Sequence, residues 1–220
     1  MARTVRVQQS VMASNEELAL ANRQLLDKAA TVAVNLMASP GAGKTSLILA
    51  TAQGLRATLR CGAVEGDIAG DLDATAIEAA GFPAVQVNTG GSCHLRAGMV
   101  AAALHELPLH ELDVVFIENV GNLVCPAGVS LGEHLNVVLS STPEGDDKPL
   151  KYPEAFRVAD AVVITKWDLV EHTGFDLARY EGHLRRINSA APLLRLSART
   201  GEGLGCWMGW LRQQVVSRGM

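Results

Sequence analysis

LMASPGAGKT, residues 36–45, follows the apolar run Val32–Met37 and opens onto residues 46–55, whose composition and spacing suit a helix. The order is strand, glycine turn, helix. Gly41 and Gly43 let the backbone curl so that successive N–H groups converge on phosphate oxygens, and the helix N-terminus adds partial positive charge. Ala42 and Ser46 complete the nucleotide-binding set of this turn. Lys44 reaches the outer phosphates, and Thr45 supplies the hard hydroxyl oxygen that Mg²⁺ shares with them. The stretch is a phosphate-binding P-loop, GxxxxGK[ST], with one departure: Ala38 stands where the first glycine is usual.

Outward from this loop, strands and helices alternate. Strands are expected at 60–64, running into Glu65-Gly66-Asp67, and at 84–88, 114–117, 136–140, 161–165 and 193–196. Helices are expected at 74–80, 95–107, near Pro153 and at 204–216, the last burying Leu204, Trp207, Met208, Leu211 and Val215, with a polar loop over 142–151. The almost purely apolar 114–117 run reads as a central parallel strand covered on both faces. Ser14 and Glu17 form a capping box for an N-terminal helix that lines up Leu18, Ala21, Leu25 and Ala29 and should pack on the domain or on a neighbouring subunit. The expectation is an α/β P-loop NTPase fold, with a mainly parallel central sheet and helices on both faces. Residues 1–31 form an N-terminal extension and 32–220 the nucleotide-binding domain.

Composition narrows the function. At 220 residues one α/β domain is the default, and a net charge of −4 with scattered Lys and Arg gives no reason to expect nucleic acid or an anionic membrane as partner. No apolar run reaches membrane-span length and the first residues lack the apolar core of a secretion signal, so a cytoplasmic location is expected. Four cysteines, widely spaced, are thiols or metal ligands rather than a disulfide scaffold. Cys61 and Cys206 read as core, and His105, His110, His134, His172 and His183 show no ligand spacing.

The base is read from two further stretches. Thr165-Lys166-Trp167-Asp168 looks like the [NT]KxD element of GTPases, whose aspartate accepts two hydrogen bonds from the guanine N1–H and amine while the lysine lies along the base. Thr165 in place of the commoner asparagine should cost a hydrogen bond to the base or to the P-loop. Ser197-Ala198-Arg199 resembles the loop whose backbone N–H meets the guanine carbonyl. Asp67 and Glu118, at strand ends beside the P-loop strand, are the natural supports for Mg²⁺, with Asp71 and Asp73 as alternatives. Lys44, Thr45, Asp67 and Glu118 are thus the catalytic candidates. Gly121 marks a switch that would move with the γ-phosphate. Asn122 stands where some GTPases carry glutamine, so slow intrinsic turnover is expected.

Cys93-His94 and Cys125-Pro126 bring sulfur and imidazole together, a combination that suits Ni²⁺ or Zn²⁺; from composition alone core and polar roles compete with a metal site. GAGKT, EGD, Thr89-Gly90 with Cys93-His94-Leu95, IENVGNLVCPA, EGDDKPLKYP, TKWDL and SARTGEG together resemble the HypB family, the SIMIBI-class nickel-incorporation GTPases of hydrogenase maturation. The likeness spans roughly residues 32–205, and the Cys-Pro-His element of the related urease GTPase is absent. The resemblance implies binding of GTP and GDP, Mg²⁺-dependent hydrolysis coupled to nickel delivery into the large subunit of nickel–iron hydrogenase, and an accessory nickel metallochaperone as partner. It also implies a nucleotide-dependent homodimer with Cys93, His94 and Cys125 of both protomers at the shared metal site. A lysine of the 142–151 loop, Lys148 or Lys151, would reach the opposite nucleotide. Residues 1–31 contain no Cys and no His, so a nickel role is expected to run through Cys93, His94 and Cys125. Arg96 replaces a usual acidic residue and is expected to weaken that site. The rival readings are a metal carrier or storage protein in which nucleotide only sets the oligomer, and an ATP-dependent kinase or ATPase.

Labelled GTP should resist competition by excess ATP, because a carboxylate built for guanine loses its partners against adenine, a discrimination on the order of 10⁴-fold. Effective displacement by ATP would remove the guanine assignment of Asp168.

Overall fold

The computed structural model describes residues 3–5, 15–68, 70 and 72–218. Its strands are β1 (Arg3–Val5), β2 (Val32–Met37), β3 (Cys61–Asp67), β4 (Ala84–Asn88), β5 (Val114–Glu118), β6 (Leu135–Ser141), β7 (Ala161–Thr165) and β8 (Leu193–Arg195). They form one sheet in the order β1-β4-β3-β5-β2-β6-β7-β8, parallel throughout. The helices are α1 (Asn15–Ala29), α2 (Lys44–Leu55), α3 (Leu72–Ala79), α4 (Ala97–Glu106), α5 (Lys148–Lys151), α6 (Pro153–Arg157), α7 (Val170–Thr173), α8 (Leu177–Ile187) and α9 (Leu204–Ser217).

A parallel sheet covered on both faces needs apolar residues at every position, and β2 and β5 are buried throughout. Their side chains alternate between two cores. Val32, Val34, Leu36, Val114 and Phe116 meet α2, α3 and α9 through Leu47, Ile77 and Trp207. Ala33, Val115 and Ile117 meet α1 and α4 through Leu26, Val100 and Leu104. On that second face, beyond Met37, Val138 and Ile164, lie α6 and α8, with Phe156, Tyr180 and Leu184. The loops after β2, β3, β4, β5, β6, β7 and β8 gather at one edge, where ligands bind in open α/β sheets. Among the described residues no helix is long and apolar enough to cross a membrane.

Several elements depart from expectation. α8 was hidden because its charged residues lie among few buried ones: Asp176 caps it, accepting from the Arg179 N–H at 3.0 Å, and only Tyr180 and Leu184 are fully buried. The 142–151 stretch is not an open loop. It holds a 3₁₀ turn at Thr142–Glu144, with a capping box between Ser141 and Glu144, and then α5. β1 adds an edge strand to the N-terminal extension. Ser14 of the expected α1 capping box lies outside the described residues.

α1 itself buries Ala19, Asn22, Leu26 and Ala29, a face turned from the expected one, and Ala21 is exposed. The reason is polar. Asn22 Nδ2 donates to Ala97 O and Leu131 O, both at 2.9 Å, and Asn15 Oδ1 accepts from the Ala97 N–H that opens α4. His134 adds a tie: Nδ1 accepts from Ala33 N at 3.0 Å, which leaves Nε2–H to donate to Asp27 at 2.9 Å. Cys61 is buried as read, but Cys206 is exposed, because it lies off the Trp207, Leu211 and Val215 stripe of α9.

Trp207 is fully buried, stacks on Trp210, and donates from Nε1 to Thr51 Oγ1 at 2.7 Å. Trp207→Ala should therefore cost about 3–5 kcal/mol in denaturant unfolding. A loss below about 1 kcal/mol would mean that α9 is not a structural part of the core.

Candidate nucleotide and metal site

The P-loop joins β2 to α2, and Gly41 and Gly43 take left-handed φ values of +73° and +94°, a conformation that a Cβ would strain. Ala38 needs no such freedom: it is fully buried at the head of the loop, its φ is not positive, and its backbone pairs with Asn122. Lys44, also buried, sets Nζ 3.6 Å from Glu118 Oε1, and Thr45 Oγ1 donates to the same oxygen at 3.2 Å. These residues open a cleft of about 630 Å³ whose lining also includes Ser46, Glu65, Asp67, Asp73, Gln86 and Gly121.

Glu65, Asp73 and Glu118 bring carboxylate oxygens within 4.8 Å of one another. Burial, then the charge of Glu118, pushes the Glu65 carboxyl well up, while Glu118 is raised by its own burial against the pull of Lys44. Glu65 Oε1 and Glu118 Oε2 are buried with no hydrogen-bond partner, as is Gln86 Nε2. Two orphaned carboxylate oxygens beside a threonine hydroxyl fit a hard divalent cation such as Mg²⁺. Asp67 sits in the lining of the same cleft, but its Oδ1 accepts from Ile68 N, and Asp73 takes the place beside Glu118. Asp71 lies outside the described residues. Sequence reasoning named neither Glu65 nor Gln86 as site residues; an acidic residue inside an otherwise apolar strand was the available signal for Glu65.

A second hollow, about 300 Å³, adjoins the P-loop and is lined by Ala42, Thr165, Lys166, Asp168, Ser197 and Ala198 among others. Thr165 Oγ1 donates to Ala42 O at 2.6 Å, so the hydrogen bond to the P-loop expected to be lost with asparagine is kept. Lys166 has a left-handed φ of +53°, and its carbonyl accepts from Thr142 Oγ1 at 2.9 Å. Hydrogen bonds from Ser197 and then Arg199 hold the Asp168 carboxyl below its usual range. The Arg199 guanidinium, 2.8 Å from Asp168, is exposed to solvent, so a base that offers two donors can displace it.

The loops after β4 and β5 meet across the end of β3. Gly66 permits this, because a Cβ there would lie 2.7 Å from Leu95 Cγ. Cys93, His94 and Cys125 consequently place their donor atoms within 4.8 Å of one another. A hydrogen bond to Cys125 pushes the Cys93 thiol up, while the Cys125 thiol is lowered by that bond and by Asn122. Burial, then Arg96, lowers the His94 pKa, so Arg96, which repels a cation, also favours the neutral ligating imidazole. Two sulfurs and a neutral imidazole suit a borderline-to-soft divalent ion. Asn122 does not line the nucleotide cleft; its carboxamide bonds Cys93 O and the Val124 N–H. Lys148 is held by Ser39 and Glu144, both at 2.7 Å, whereas Lys151 is exposed and paired only with Asp147 among the described contacts.

The family model of the CobW/HypB/UreG nucleotide-binding domain matches residues 32–195. The hydrogenase maturation factor HypB of Azotobacter vinelandii is 44% identical over 216 residues, covering 98% of this chain and 71% of that protein. The Escherichia coli K12 protein of the same name is 42% identical over 212 residues, covering 96% and 73%. The structure of Helicobacter pylori HypB in complex with nickel superposes with a TM-score of 0.90 at 35% identity, covering 93% of this chain and 96% of that one. Archaeoglobus fulgidus HypB gives 0.85 at 39% identity, covering 91% and 98%.

Thr165→Val should weaken GTP binding roughly fivefold, about 1 kcal/mol, by stranding Ala42 O while leaving the preference over ATP unchanged. A fluorescence titration that finds no change would place this hydrogen bond outside the nucleotide site's support.

Proposed function

Since the chain belongs to the CobW/HypB/UreG family, and within it to the hydrogenase maturation factors HypB, we propose that it couples GTP binding and hydrolysis to nickel insertion into the large subunit of nickel–iron hydrogenase. The observation that carries this reading is that Cys93, His94 and Cys125 converge on a loop whose backbone is paired with the head of the P-loop.

The P-loop N–H groups from Gly41 to Ser46 cradle the phosphates, and Lys44 neutralises the outer ones. Thr45 and Glu118 would hold Mg²⁺, with Glu65 and Asp73 as the further carboxylates of the cluster and Asp67 in the lining beside them, and the bound ion would supply charge neutralisation at the phosphates. Lys166, Asp168, Ser197 and Ala198 receive guanine, Asp168 exchanging Arg199 for the base. Asn122, turned toward the metal loops and outside the lining of the cleft, does not orient the attacking water, in keeping with slow intrinsic turnover.

Nickel is cargo. Three ligands leave its coordination incomplete, which suits a site completed across a homodimer and able to hand its ion on; Zn²⁺ fits the same donors. Val124, Ile68 and Leu72 are exposed apolar residues on the loops and helix beside the two sites, as a nucleotide-dependent dimer face requires. Lys151, free of the contacts that hold Lys148, is the better placed to reach the opposite nucleotide. The accessory nickel metallochaperone and the hydrogenase large subunit are the partners this role requires.

Nickel titration with and without a non-hydrolysable GTP analogue, read beside mass in solution, tests the proposal. Metal binding should be linked to the dimer and abolished by Cys93→Ala and by Cys125→Ala, and Lys44→Ala should remove single-turnover hydrolysis. Binding indifferent to nucleotide and to both cysteines would overturn it.

A further inference from the structure

Resting on that nucleotide-and-metal reading, we propose that Asn122 is the positioning residue that carries the state of the P-loop to the metal cluster. Its backbone forms an isolated antiparallel bridge with Ala38, at the head of the loop. The preceding Gly121 packs so closely on the loop that a Cβ would lie 2.8 Å from Pro40 Cγ and 3.0 Å from its Cα. Segment 121–122 therefore cannot move independently of residues 38–40, since packed backbone at this separation has no slack.

The side chain of Asn122 faces the other way. Nδ2 donates to Cys93 O at 3.3 Å, and Oδ1 accepts from the Val124 N–H at 2.8 Å, next to Cys125. One residue thus touches the P-loop strand through its backbone and both ligand-bearing loops through its carboxamide.

The neighbouring Asn119 has the complementary job of holding still. It is buried; its Oδ1 accepts from Leu95 N and Val120 N at 3.0 Å, its Nδ2 donates to Asn35 Oδ1 at 3.2 Å, and its N–H donates to Leu36 O at 3.1 Å. The Cys93–His94 loop is therefore pinned to the sheet just beyond His94, while the arm bearing Cys125 leaves the sheet at Val120. Relative motion between ligands must pass through the arm, and Asn122 is the side chain that measures it. When the Ala38–Asn122 pairing shifts with the phosphates, Nδ2 gains or loses Cys93 O, and the separation of the two sulfurs changes with it. Asn122 acts through backbone on one side and amide on the other, and touches neither phosphate nor metal.

The test is a Ni²⁺ titration of the full chain saturated with GDP or with a non-hydrolysable GTP analogue, for the wild type, Asn122→Ala and Asn122→Asp. Coupling between sites should appear in the wild type as a metal-affinity ratio of roughly 5- to 150-fold between the nucleotide states. In Asn122→Ala the ratio should fall to within about twofold of one, with Cys93, His94 and Cys125 still binding metal. Asn122→Asp keeps the acceptor for Val124 N–H and loses the donor to Cys93 O; its added charge moves both affinities together, and its ratio should collapse as well. Variants that shift affinity equally in both states and keep the wild-type ratio would overturn the proposal, leaving Asn122 a structural residue. A wild-type ratio of one would overturn the gating reading itself, and this inference with it.

Discussion

Everything at the ligand edge depends on the parallel pairing of β2 with β5, in which Leu36 lies opposite Glu118. A slip by one residue would turn Glu118 to the other face of the sheet and away from Lys44 and Thr45. What forbids the slip is burial: Val114, Phe116, Val115 and Ile117 are all fully enclosed, in two separate cores. The apolar strand thus aims the carboxylate. It also encloses Glu118 with Lys44, and removing either partner would strand a buried charge at a cost of about 3–5 kcal/mol.

The sequence revealed those parts that are local. β2, β4 and β7 fall where their apolar runs fall, because a covered parallel strand leaves a continuous signature and the P-loop fixes where the first one ends. The Asp168 and Ser197 loops were equally legible, each being a strand end with its own chemistry. α8 was not, since a surface helix with two buried residues looks like a charged loop when read without its Asp176 cap. Nor was the face of α1, which is set by Asn22 bonding to carbonyls far away in sequence.

The carboxylate cluster shows the deeper limit. Glu65 stands opposite Glu118 on one side and Gln86 on the other, in the registers of β3 with β5 and with β4. Those neighbours are fixed by strand order, which a sequence does not display, so Asp67 looked the better ligand and Glu65 passed as part of the strand end. Thr165 carried a similar lesson. Its hydroxyl reaches the P-loop carbonyl of Ala42 across 123 residues, so a substitution that reads as a loss in a motif is a replacement in space. Cys93, His94 and Cys125 were joined by family likeness, since their convergence requires two loops to cross the end of a third strand.

That crossing rests on Gly66, a residue with no donor atom to offer either ligand. Because Leu95 occupies the space where its side chain would be, the end of β3 that carries Asp67 and the loop that carries Cys93 are one packed object rather than two neighbouring sites. The vocabulary of nucleotide residues and metal residues divides what the chain does not. A methyl group added at Gly66 would displace Leu95 and with it the loop that carries Cys93 and His94, so heredity can disturb the convergence of the three donor groups without altering one of them.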